Sequence, residues 1–145
     1  MEIVIVTGVM AMVLTAIVAG LTLSLKTNAD SEYRSQAVQR SQEAMEVFRR
    51  ERTIRGWNDF LNSFTSGETY CLVTLPAPEE AFTSGACSDE QSIVVSGVDF
   101  YREAVVTVDT SNPSEPRVQV EISTSWDSGS GPRNVEIVQS FRQFN

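Results

Sequence analysis

The chain has 145 residues, room for one modest domain and an added element. A net charge of −8 and the absence of histidine exclude histidine-based dyads and triads. They also argue against a nucleic-acid-binding role for the acidic part.

The 23 residues from Ile3 to Leu25 carry no charge, and Lys26 ends the run. As a helix this run would be about 34 Å long at about 1.5 Å per residue. A bilayer hydrocarbon core is about 30 Å thick, so the segment is long enough to cross one. A secretory signal peptide has a basic start and an apolar core of about 7–15 residues. Here the start, Met1-Glu2, is acidic and the run is longer, so the segment is expected to be retained.

The helix is expected to continue. Residues 26–55 hold seven basic and five acidic side chains (net +2), whereas residues 56–145 hold four and thirteen (net −9). Tyr33, Ala37, Ala44, Met45 and Phe48 recur near a 3.6-residue period among charged neighbours, and Gly56 is a plausible stop. A helix over 2–55 would be about 80 Å long. Gly20, in Gly-Leu-Thr, is its weakest point and a place for local unwinding.

Trp57, Phe60, Leu61 and Phe64 follow at i, i+3, i+4 and i+7, a short amphipathic turn or second helix. Thr69–Leu75 is strand-like and leads into turns at Pro76 and Pro78. Residues 98–109 alternate, with Phe100, Ala104, Val106 and Val108 on one face. Residues 117–126 do the same with Val118, Val120, Ile122 and Trp126. In residues 133–144 the Ile137-Val138 pair breaks the phase, which predicts a bulge or burial on both sides. DTSNPSEP and DSGSGP read as turns, giving an antiparallel meander.

Such a sheet is too small to stand alone and needs a cover. The predicted fold class is α+β, a long N-terminal helical spine packed on a small antiparallel β-sheet. The expected divisions are an apolar helix over 1–25, an amphipathic half of the spine over 26–56, and a β domain over 57–145.

Cys71 and Cys87 lie sixteen positions apart. A polar domain outside the cytoplasm sits in an oxidising compartment, so a disulfide is the default reading, and two buried free thiols are the alternative. Without histidine, two cysteines leave no four-ligand zinc set unless acids contribute. No metal and no cofactor is expected. Arg49, Arg50, Arg52 and Arg55 alternate with Glu43, Glu46 and Glu51, which reads as an ion-paired helix surface rather than a phosphate or nucleic-acid site. Glu79-Glu80 read as solvated loop charge and Asp127 as a turn residue. No catalytic constellation is visible, and the chain is expected not to be an enzyme.

The start MEIVIVTGVMAMVLTAIVAGLTLSLK, the stretch SQEAMEVFRRERTIRGWNDF and the late strands ISTSW and IVQSF resemble the type IV pilin and pseudopilin family. The likeness covers the whole chain in layout and residues 1–60 in sequence. Members usually begin with an aromatic residue and place a glutamate fifth. Here Glu2 heads the apolar run, which contains Gly8 and Gly20 but no proline.

The resemblance implies a structural subunit of an extracellular filament for attachment, twitching motility or DNA uptake. Ile3, Val4, Ile5, Val6, Val9, Val13, Leu14, Ile17 and Leu21 would pack the filament core. Glu2 would pair with the N-terminal amine, on Met1, of a neighbouring copy. The partners are other copies in a helical homopolymer and, earlier, the assembly machinery of the inner membrane; no specific nucleic acid or small molecule is implied. The unassembled subunit would sit in the inner membrane and the pilus on the cell surface. Two alternatives are a minor subunit or pseudopilin of a secretion or DNA-uptake machine, and a single-pass membrane anchor presenting a binding domain.

Overall fold

The computed structural model describes residues 2–112, 115–129 and 131–143, with side chains from residue 5 onward. Helix α1 runs unbroken over Glu2–Arg55, so the chain passes Gly20 without unwinding. Helix α2 is Trp57–Asn62. The strands are β1 (Glu68–Cys71), β2 (Ile93–Val95), β3 (Val98–Asp109), β4 (Arg117–Asp127) and β5 (Pro132–Arg142). The chain divides into two compact units, Met1–Arg34 and Ser35–Asn145.

In the second unit the distal part of α1 lies on an antiparallel sheet ordered β1-β3-β4-β5, with β2 also paired to β3. The helix face that meets the sheet is Ala37, Ser41, Ala44, Phe48 and Glu51, each fully buried. Steps of four and three residues keep these positions on one stripe. The small side chains at 37, 41 and 44 let the backbone of α1 approach the strands. Below them Phe48, Phe60, Phe64, Val106, Val120 and Phe141 fill the core. Phe60 meets Phe64 and Phe141 edge-on at centroid distances of 5.2 and 5.5 Å. Gly56 separates the helices at φ +75°, a conformation that a side chain would resist.

Two expectations need correction, and one further hairpin is present. No bulge occurs at Ile137-Val138: pairing runs continuously from Arg117↔Arg142 to Asp127↔Pro132. Ile137 packs against the core, while Val138 stands on the solvent face at 51% exposure. The first strand is shorter than the strand-like stretch, stopping at Cys71. Finally, β2 and β3 form an additional hairpin in which Val95 pairs with Val98 across Ser96-Gly97. Both turn residues have positive φ, 51° and 80°, as a two-residue type I′ turn requires.

Candidate assembly surface

Apolar residues on all sides of a helix need an apolar environment on all sides. From Ile5 to Leu25 every large apolar side chain of α1 is between 53% and 76% exposed. Val6, Val9, Val13 and Ile17 follow in steps of three and four along one side. Leu14 and Leu21 extend the surface around the helix, and Met10, Met12, Val18 and Leu23 complete it. The helix has an apolar window with mean hydropathy 2.2, of which none is buried within the chain. By length and composition it can cross a membrane.

Two hydroxyl groups within this segment are bonded to the backbone of their own helix. Thr15 Oγ1 donates to the Ala11 carbonyl at 3.0 Å or the Met12 carbonyl at 2.9 Å, and Thr22 Oγ1 donates to Val18 at 2.9 Å. A polar group bonded within its own helix can enter an apolar medium without the cost of an unsatisfied donor. Gly8 and Gly20 leave open space where a Cβ would project. Of the residues expected to pack a filament core, Ile5, Val6, Val9, Val13, Leu14, Ile17 and Leu21 are thus on one exposed segment. Met1 and the side chains of Glu2, Ile3 and Val4 lie outside the described residues.

The basic stretch at the end of α1 works within the second unit. Arg40 pairs with Glu43 at 3.5 Å, and Arg49 pairs with Glu46, as expected for a helix surface. Arg49 also donates to Gln139 Oε1 on β5 at 2.7 and 3.0 Å. Glu51 is different, because its side chain is fully buried. Its Oε2 accepts from Arg55 Nε at 2.8 Å and from the Glu79 N–H at 3.1 Å. Its Oε1 accepts from Arg50 Nε and Nη2 at 3.2 and 3.1 Å. Burial by itself pushes the carboxyl up; the bonds from Arg55, Arg50 and Glu79 outweigh it and hold the group below its ordinary value. The same arginines reach the loop after β1, Arg50 at the Pro76 carbonyl and Arg55 at the Glu80 carbonyl, each at 2.8 Å.

Cys71 and Cys87 form a disulfide with their Cα atoms 4.9 Å apart. The loop between them is therefore held at its ends by the covalent bond and at Pro76–Glu80 by the glutamate–arginine clamp. Within that loop Glu80 Oε2 accepts from the Ala77 N–H at 2.8 Å, so one of the two loop carboxylates forms a turn.

A second buried polar site joins sheet and helix. Arg102, on the core face of β3, is 2% exposed. Its Nε donates to the Leu72 carbonyl and its Nη1 to the Arg40 carbonyl, both at 2.8 Å, with Glu43 at 3.6 Å. Burial lowers its pKa to about 10, with Glu43 opposing the shift. Beside it Ser41 Oγ and Thr124 Oγ1 share a buried hydrogen bond of 2.7 Å.

None of Ser41, Glu51, Arg102 and Thr124 stands out by residue type. Their positions did carry a signal: 41 and 51 fall on the stripe of Ala37, Ala44 and Phe48, and 102 and 124 share the inward parity of their strands. Among the described residues, no group of three or more cysteine or acidic side chains is arranged to hold a metal ion. No family model, no curated protein and no solved structure matches the chain.

Proposed function

We propose that the chain is the structural subunit of a type IV pilin-like filament, a polymer of its own copies held together by α1. One observation carries this reading. An apolar segment exposed on all sides is continuous with a helix that, farther along, is the cover of a compact α+β unit. A contiguous apolar surface of this size needs a partner, and the same segment of another copy has matching chemistry and length. A membrane anchor alone would not require the helix to continue for thirty residues beyond Leu25. In the same reading, the subunit waits in the inner membrane and ends in a cell-surface pilus. Glu2 neutralises the amine of an adjacent copy, and the globular units form the outside of the shaft.

The test is to express the full chain with a pilus assembly system, shear the cells and examine the sheared fraction by electron microscopy and mass spectrometry. Filaments composed mainly of this chain are expected. Filaments containing it only in trace amounts would instead support a minor subunit or pseudopilin. A second reading, a single-pass anchor for the Ser35–Asn145 unit, draws on the span of mean hydropathy 2.2, which suits a bilayer. It predicts isolated copies that remain in the membrane fraction.

A further inference from the structure

A sheet edge presents a row of N–H and C=O groups that can take up a further strand. Among the described residues, β5 ends the strand order on one side, and on the other β2 pairs with β3 alone. The outer edge of β1 is already covered. Tyr70 bridges Ser84, the Cys71 N–H donates to the Thr83 carbonyl at 3.0 Å, and the Gly85 N–H donates to the Thr69 carbonyl at 2.8 Å. The sheet therefore offers two edges, β2 and β5, on opposite sides.

Their hydrogen-bond phases match. The two-residue turn at Ser96-Gly97 closes on Val95↔Val98 as a hydrogen-bonded pair, so Val94, one step farther, turns its N–H and C=O away from β3. On β3 the even positions bond towards β1: the Arg102 and Val106 carbonyls accept from the Leu72 and Gly67 N–H groups at 2.8 and 2.7 Å. Alternation carries this phase across the unbroken registers to β4 and β5, and at Val138 the N–H and C=O point out of the sheet. Arg52 reaches the Arg142 carbonyl, four positions along in the same phase, at 2.5 Å.

We propose that β2 of one subunit adds to the outer edge of β5 of a second copy as an antiparallel strand, with Val94 opposite Val138. The proposal rests on the self-assembly reading and deepens it, naming a contact between neighbouring globular units. Side chains select this register. Val94 and Val138 share the solvent face and are 67% and 51% exposed, while on the other face Val95 would meet Ile137, both half-buried. The Ser88–Gln91 turn before β2 carries Asp89 and Glu90, and this register brings it to Arg142. Arg142 stands opposite Arg117 on β4, a like-charge pair that an added carboxylate offsets. Residues 88–95 hold two acids and no base, net −2; residues 132–142 hold Arg133 and Arg142 against Glu136, net +1. Within the sheet β2 and β5 run in opposite directions, three antiparallel steps apart. Antiparallel docking thus leaves every copy in the same orientation, a head-to-tail contact that can repeat along a filament.

Filaments grown from full-length Val94→Cys chains, from Val138→Cys chains and from an equal mixture are sheared, mildly oxidised and digested. The mixture should yield a disulfide joining position 94 of one copy to position 138 of another, and neither variant alone should link copies through its new thiol. Such links in one variant alone would mean that an edge pairs with its own kind. Filaments from the mixture without the 94–138 product would mean that these edges do not meet. Either result overturns the docking proposal while self-assembly stands. A measurement on the unmodified chain covers the case in which the variants fail to assemble. Amide exchange at Val94 and Val138 should be at least about tenfold slower in filaments than in detergent-solubilised subunits, and equal rates would overturn the proposal. If unmodified chains give no filaments at all, the self-assembly reading fails, and the docking proposal fails with it.

Discussion

Glu51 Oε2 accepts from Arg55 Nε at 2.8 Å, one helical turn along α1, and the same oxygen accepts from the Glu79 N–H at 3.1 Å. One buried carboxylate thus organises both the end of the helix and the disulfide-closed loop. Glu79 itself has φ +64°, a conformation uncommon for a residue with a side chain, so the bond also holds the loop in a conformation it would not choose alone.

Replacing Glu51 should be costly. Glu51→Ala leaves the Glu79 N–H without its acceptor and Arg50 and Arg55 without their carboxylate, with the loop carbonyls still bonded, and we expect a loss of about 3 kcal/mol. Both arginines keep some solvent contact, which places the effect at the low end for a broken buried pair. Thermal unfolding of the full chain in detergent micelles measures it, and an unchanged midpoint would contradict the assignment.

The same group predicts a pH dependence. A carboxyl whose folded pKa is lowered binds its proton less readily in the folded state than in the unfolded one. Its contribution is fully present above the ordinary value of 4.5 and is lost as pH falls below it. Glu51→Gln should therefore be less stable than the parent near neutral pH, with the gap narrowing below about pH 4.5. A constant gap across an acid titration would assign the effect to packing instead.

Ser41 and Thr124 predict an asymmetric mutant cycle. Ser41 Oγ also donates to the Ala37 carbonyl at 3.0 Å, so it keeps a partner in Thr124→Val. Ser41→Ala instead leaves the Thr124 hydroxyl buried with nothing to bond, at a cost of about 1–3 kcal/mol. The double variant should be more stable than Ser41→Ala alone. Additive losses in chemical denaturation would rule this out.

For the disulfide, unreduced denatured protein should show no reactive thiol. Reduction should cost about 3 kcal/mol for a loop of this length. The loop would remain tethered at Pro76–Glu80 by Arg50 and Arg55, so Cys71→Ser/Cys87→Ser combined with Glu51→Ala should mobilise it more than either change alone. Hydrogen exchange over residues 72–87 reads this directly.

For Glu2, the filament reading predicts that Glu2→Ala lowers filament yield at equal subunit level while the Ser35–Asn145 unit keeps its unfolding midpoint. Glu2→Lys should be worse, since it places a second cation near the amine of the adjacent copy; an unpaired charge in apolar surroundings costs several kcal/mol. Normal filament yield from both variants would make Glu2 a solvated end residue.

Much of this architecture follows from periodicity. A run of 23 uncharged residues, followed by apolar positions near a 3.6 period, is enough to specify the long helix. Strict alternation at Val118, Val120 and Ile122 is enough to specify a strand and its inner face. These signals are legible because burial of apolar area is the dominant local driving force and repeats with the geometry of each element.

Tertiary structure decided what polar side chains do inside. Arg102 is buried because the carbonyls of Leu72 and Arg40, 30 and 62 positions away, converge on its guanidinium. Glu51 is buried because the loop after β1 returns to meet it. Val138 faces solvent because the register with Glu121 leaves no room for a bulge. A polar group's burial depends on partners distant in sequence, and pattern alone holds no record of which distant atoms will meet. The sequence by itself therefore determined the helix, the sheet and the acidic balance; the fold decided which charges are spent inside and which remain outside.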